Sequence, residues 1–183
     1  MKGATIALRA ATVDDARAIA TVQVRSWQSA YPGIVPEAFL RSLSVEAREA
    51  AWQAILREGA SHTFVAEEPH GIIGWISVGR SRDPDAGPTT GELWAIYVAP
   101  ESWGRGAGRA LWDRGGAHLR ASGFLDVTVW VLEDNRRALR FYESTGFAPD
   151  RGQQKVIELG GAALVEIRLR GKLAADPGSP PTG

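Results

Sequence analysis

The chain reads as an α/β or α+β protein built on one main sheet. Three observations point there. Short runs rich in β-branched and aromatic residues recur from residue 5 to residue 170. Segments with apolar residues at helical spacing lie between them. The connections are mostly short and punctuated by glycine or proline.

Each element follows from local chemistry. "TIALR" (5–9) is a short first strand. Thr12 and Asp15 form a cap and a first-turn acid, and the helix they open runs to about Gln28 with Ile19, Val22 and Trp27 roughly on one side. "YPGIVP" (31–36) breaks it. "EAFLRSL" is a short helix, and Ser44 caps another that ends at Glu58 before Gly59. "HTFVAEE" (62–68) and "GIIGWISVGR" (71–80) are strands joined at Pro69-His70. After a loop over 81–91, "ELWAIYVA" (92–99) is a strand. "ESWGRGAGR" turns into a helix that stops near Ala121, before Gly123. "FLDVTVWVL" (124–132) is a strand, 135–145 a helix, and "FAPDRGQQKVIEL" with "AALVEIRLR" a closing antiparallel pair around Gly160-Gly161. Residues 1–172 are expected to form one domain, and 173–183 have the composition of a disordered tail.

Composition narrows the function classes. Lysine plus arginine number 21 and aspartate plus glutamate 21, which argues against a general attraction to nucleic acid or anionic membrane. There is no cysteine, so a cysteine nucleophile, thiolate metal sites and disulfides are excluded. His62, His70 and His118 lack metal-ligand spacing, and no metal is expected. No apolar run reaches the roughly 20 residues that span a bilayer, and the first residues lack a secretion signal's apolar stretch. A soluble cytoplasmic protein is expected.

"VAPESWGRGAGRAL" places a glycine-rich turn between a strand and a helix. Glycines free backbone N–H groups to face an anion, and a helix N-terminus adds partial positive charge. Gly104, Gly106 and Gly108 alternate with Arg105, Ala107 and Arg109, and both arginines can contact phosphate. The dinucleotide fingerprint fails, because its last position falls on Arg109 or Leu111. No Walker string is present. Simple turn chemistry is the plain alternative.

With "LWAIYVAP" before it and "NRRALRFYESTGF" (135–147) after it, this turn resembles the GNAT superfamily of acyl-CoA-dependent N-acyltransferases. Gly106 and Gly108 match the glycines of that family's [QR]-x-x-G-x-[GA] pyrophosphate loop. The Gln/Arg position falls on Trp103, a departure. Asn135, Ala138, Phe141, Tyr142, Gly146 and Phe147 match N-x-x-A-x-x-F-Y-x-x-x-G-F. The resemblance implies a mixed, mostly antiparallel sheet with two splayed central strands and flanking helices. It implies acetyl-CoA in the gap, its pantetheine along Ile96, Tyr97 and Val98 and its phosphates on the turn from Trp103 through Gly104 to Arg109, with Asn135 nearby. It also implies an amine acceptor and a dimer through the C-terminal strands.

Roles follow from that resemblance. Tyr142 is the implied general acid for the departing thiolate, since a phenol is a neutral donor at working pH. A core aromatic with a bonded hydroxyl would show the same spacing. Asn135 opens the helix and is placed to cap it. Glu92, eleven residues before Trp103, is the implied base, because the attacking amine must be neutral. A strand-edge residue or ion-pair partner is the alternative. On the acceptor side, Trp27, Tyr31 and Phe39 form a candidate apolar wall and Glu37 a candidate partner for a cation. That suits a small amine, and equally a peptide terminus or lysine. A non-catalytic acyl-CoA-binding regulator is the reading from a different class.

Overall fold

The computed structural model describes residues 5–173. The tail expected to be disordered lies, from residue 174 onward, outside the described residues. Seven strands make one sheet: β1 (Ala7–Ala10), β2 (His62–Glu68), β3 (Gly71–Arg80), β4 (Thr90–Val98), β5 (Asp126–Leu132), β6 (Ala148–Leu159) and β7 (Ala162–Lys172), in the order β1-β2-β3-β4-β5-β7-β6. Every neighbouring pair is antiparallel except β4–β5. The helices are α1 (Ala16–Ala30), α2 (Glu37–Ser42), α3 (Val45–Glu58), α4 (Ala107–Ala121) and α5 (Arg136–Ser144). This is the mixed, mostly antiparallel architecture that the sequence led us to expect.

Strand alternation sends residues to two layers. Phe64, Ile76, Val78 and Leu93 pack with Leu111 and Leu119 of α4 and Tyr142 of α5. Val65 and Trp75 pack with Ile19 and Ala20 of α1 and Trp52 of α3. A Cβ at Gly115 would lie 2.9 Å from Ile76 Cδ1, so α4 approaches β3 more closely than a side chain there would allow. Ser44 Oγ accepts from Ala47 N–H at 3.1 Å to open α3, and Gly59 closes it with φ 66°. Phe124 and Leu125, expected in β5, precede it, because Leu125 N–H donates to Thr89 in the preceding loop.

The feature that makes room for a ligand lies between β4 and β5. They pair in parallel only at Thr90–Asp126, Gly91–Val127 and Glu92–Thr128. The register against β3 shifts so that Val78 faces Leu93 and Ser77 faces Ala95. Trp94 is the extra residue of a bulge, which bends β4 and ends pairing. Past Glu92 the two strands diverge, leaving that edge of β4 without a strand partner.

A third cluster joins Tyr31, Val35 and Leu40 to Leu132 of β5, with Ile157, Leu159 and Leu164 of the β6–β7 hairpin packed against it. The hairpin tip rests on α2, since a Cβ at Gly160 would come within 2.6 Å of Phe39 Cβ. Among the described residues no helix is long and apolar enough to cross a membrane.

Candidate active site

The divergence of β4 and β5 opens a cavity of about 550 Å³, a size typical of small-molecule sites. It has a loop end, a tyrosine-rich middle and a hairpin end.

At the loop end, Gly104 (φ 73°) and Gly106 (φ 89°) hold left-handed backbone that suits glycine. Gly106 is the N-cap of α4 and offers no side chain to its first turn, so the first N–H groups lack intrahelical acceptors. Their partial positive charge suits an anion. Trp103, Gly104, Gly106, Gly108 and Arg109 line the cavity. The neighbouring side chains turn away: Arg105 pairs with Glu68 at 3.0 Å, and Ala107 is buried. Trp103 Nε1 donates to Val98 O at 2.7 Å, and the Arg137 guanidinium stands 3.6 Å from the centroid of its ring. Arg137 also lines the cavity. Burial, then the charge of Arg140, draws the Arg137 pKa down, yet a guanidinium stays cationic.

In the middle, Asn135 Oδ1 accepts from Ala138 N–H at 3.1 Å and caps α5. Two turns along, Tyr142 faces the same cavity. Its side chain is buried, and burial, with the nearby Tyr31 second, pushes its pKa up. The phenol is therefore neutral at any ordinary pH. All three tyrosines of the chain, Tyr31, Tyr97 and Tyr142, line this cavity. Ile96, Tyr97 and Val98 of β4 line it as well. The Val98 carbonyl is already engaged, by Ser26 Oγ at 2.9 Å and by Trp103.

At the hairpin end, Trp27 and Tyr31 meet edge to face with centroids 4.9 Å apart. Trp130, Leu132, Ile157 and Leu159 complete the apolar wall. Glu166 of β7 is, among the described residues, the one carboxylate in the lining. Tyr31 is held neutral mainly by burial. Glu166 adds to this, while Tyr97 and Asn135 draw the pKa back down.

Besides Arg105 and Ala107, three sequence candidates lie outside the lining. Glu37 pairs with Arg41 one turn along α2 and borders a separate hollow beside Pro36. Phe39 packs on Trp27 from outside the lining, with centroids 6.3 Å apart. Glu92 is 3% exposed at its side chain and also lies outside the lining. Its carboxylate accepts from Arg82 N–H at 2.9 Å, from Arg82 Nε at 3.1 Å and from Nη2 of the same residue. Arg82 in turn stacks on Trp94 at 4.2 Å. Glu37 came from its place in the segment after the first helix, but which face of a six-residue helix turns inward depends on what it packs against, and here Glu37 turns to Arg41.

The cavity also holds two charged residues that were not sequence candidates. Arg137 lay inside the α5 motif, two residues after the cap, and its basic charge beside a phosphate loop was a usable signal. Glu166 had none, because it reaches the cavity only when β7 pairs with β5 opposite Leu132.

Residues 21–147 match the model of the acetyltransferase (GNAT) family. The N-acetyltransferase YuaI of Bacillus subtilis, uncharacterized, is 35% identical over 165 residues, covering 90% of this chain and 91% of that protein. A mycothiol acetyltransferase of Thermobispora bispora is 42% identical over 86 residues, 46% of this chain. The chain matches only 29% of that enzyme's length. In fold, the chain is similar to yncA of Salmonella typhimurium, solved with its cofactor acetyl-CoA, with TM-score 0.70, 24% identity, and 96% and 98% of the two chains covered.

Proposed function

Starting from the fact that the chain belongs to the GNAT acetyltransferase family, we propose that it moves an acetyl group from acetyl-CoA directly to the primary amine of a small molecule, within a ternary complex. One observation carries this reading. A single cavity joins an amide-rich, arginine-bearing end to an aromatic end with one carboxylate, and the Tyr142 phenol stands between them. The two ends suit two different substrates held at once.

The residues present fit acetyl-CoA. The uncapped start of α4, with Arg109 and Arg137, suits phosphates. The edge of β4 over Ile96–Val98, which among the described residues has no strand partner and on which only the Val98 carbonyl is already engaged, suits the pantetheine amides. The acetyl-CoA supplies an activated thioester. The amine nitrogen attacks its carbonyl carbon, the N–C bond forms, the C–S bond breaks and the sulfur leaves with the electron pair. Tyr142 donates a hydrogen bond to that sulfur, and the departed thiolate takes up its proton from solvent. A thiol has a pKa of about 8.5, below that of the buried phenol. The donor therefore acts chiefly by stabilising charge as it develops in a desolvated cavity. The amine proton passes through water to Glu92, whose contact with Arg82 makes this the more demanding of the two roles. With no cysteine in the chain, no acyl group rests on an enzyme sulfur.

Calorimetric titration with acetyl-CoA, followed by thiol release across a panel of primary amines, tests the reading. The expected result is binding near one site per chain and amine-dependent release. Binding with no release for any amine or peptide would make the protein an acyl-CoA-binding regulator. Absence of binding would remove the cavity from the reaction.

A further inference from the structure

We infer that Glu166 and the face of Trp130 form the subsite for the acceptor's ammonium group, and that this subsite selects primary alkylamines with an apolar body over amino acids. The inference rests on the acetyl-transfer reading and specifies its acceptor.

Glu166 is the lining's one carboxylate among the described residues, and its side chain is 20% exposed. The pair already holds an ammonium. Lys155 Nζ lies 3.3 Å from Glu166 Oε2 and 4.1 Å from the centroid of the Trp130 ring. A carboxylate beside an indole face attracts any alkylammonium by charge and by the ring quadrupole. Lys155 projects from β6, a strand paired on one side only, and its side chain is 45% exposed. Exchanging this half-exposed ion pair for a substrate ammonium costs little, because such a pair is itself weak. Lys155 is therefore a removable stand-in that competes with the substrate.

Place and surroundings set the rest. Tyr31 lines the same cavity as both Glu166 and Tyr142. The subsite and the reaction centre therefore open into one cavity. Trp27, Tyr31, Ile157 and Leu159 surround it with apolar surface that suits an uncharged body. A carboxylate on the carbon that bears the amine would sit against Glu166 and be repelled. The ammonium docks first, gives one proton through water to Glu92 before attack and releases the second to solvent as the N–C bond forms, so Glu166 acts as a positioning residue.

The test uses the full chain saturated with CoA, which cannot donate an acetyl group, with 2-phenylethylamine and phenylalanine as probes in calorimetry. We expect 2-phenylethylamine to bind at least tenfold more tightly than phenylalanine. Glu166→Gln should weaken 2-phenylethylamine about tenfold and narrow that ratio, while Lys155→Met should strengthen it severalfold. Acetyl-CoA affinity and melting temperature should hold in both variants. In steady-state thiol release the amine KM should move in the same two directions with little change in kcat. A purely structural ion pair would shift both variants the same way. Unchanged amine affinity in Glu166→Gln, equal binding of the two probes, or no amine binding by a protein that binds acetyl-CoA would each overturn the inference. Failure to bind acetyl-CoA, measured first, would instead bring down the acetyl-transfer reading.

Discussion

The two ends of the cavity are built from different materials. The loop end comes almost wholly from one contiguous stretch, 103–109, and offers backbone N–H groups, with Arg109 and Arg137 as its charges. The hairpin end is assembled from α1, β5, β6 and β7, and offers rings, aliphatic side chains and one acid. Backbone donors recognise a phosphate whatever the neighbouring side chains are. Rings and a carboxylate recognise one particular shape and charge. A donor held by main chain leaves the acceptor end free to vary without disturbing the turn. The lining charges are also sorted, with Arg109 and Arg137 at one end and Glu166 at the other, so once the Lys155 ammonium leaves Glu166 the proposed anionic donor and cationic acceptor would be drawn to opposite ends.

The strongest test of that division removes the group shared by both ends. Tyr142→Phe keeps the ring and deletes the donor. We expect kcat to fall about 100-fold, the low end for general acid catalysis because a thiolate leaves readily. Acetyl-CoA affinity and amine KM should each stay within a few-fold. Full turnover in this variant would take Tyr142 out of the mechanism. Loss of affinity for either substrate would mean that the middle of the cavity belongs to one of its ends.

A smaller effect sharpens the contrast from the loop end. Arg137→Ala deletes a guanidinium that stacks on Trp103 and lines the cavity. Acetyl-CoA should bind about tenfold more weakly, roughly 1.4 kcal/mol, with a shallower dependence on salt than the wild type. Amine KM should not move. This mirrors Glu166→Gln, which acts on the amine alone. Arg137→Lys should restore part of the affinity, since it keeps the charge but loses the planar stack. An amine effect of Arg137→Ala equal to its acetyl-CoA effect would dissolve the distinction between the ends.

The same contrast explains what was legible in the sequence. The bounds of β2 and β3, the cap at Ser44 and the stop at Gly59 depend on neighbours within a few residues, and they could be read directly. So could the turn at 104–108 and the cap at Asn135. The bulge at Trp94 depends on how β3 and β4 register, which no short window contains. Trp27 and Tyr31 were readable as aromatic residues of the segment that closes the first helix. Their partner acid was not: Glu37 is close in sequence but engaged by Arg41, whereas Glu166 reaches the cavity through strand pairing 34 residues from Leu132. Motif reading reached the turn made of backbone, passed over Arg137 within its own motif, and missed the acid that strand pairing brings in.

Glu92 belongs to neither end, and the smallest predicted effect concerns it. Two roles compete for this carboxylate. It latches the loop after β3, through the backbone and guanidinium of Arg82, and it is the proposed acceptor of the amine proton. Glu92→Gln separates them, because an amide oxygen still accepts from Arg82 N–H but cannot take a proton. A carboxylate base must be ionised to act, so wild-type kcat/KM should fall toward acid pH. In Glu92→Gln that acidic limb should flatten. The rate on the plateau should drop only about fivefold, less than a direct base contributes, because bulk water also takes the proton when the group acts through solvent. The latch predicts the reverse pattern. Removing the charge opposite Arg82 would lower the melting temperature, since the cation loses its buried partner, and the acidic limb would remain. An unchanged limb together with a lower melting temperature would assign Glu92 to the loop alone and leave solvent as the base.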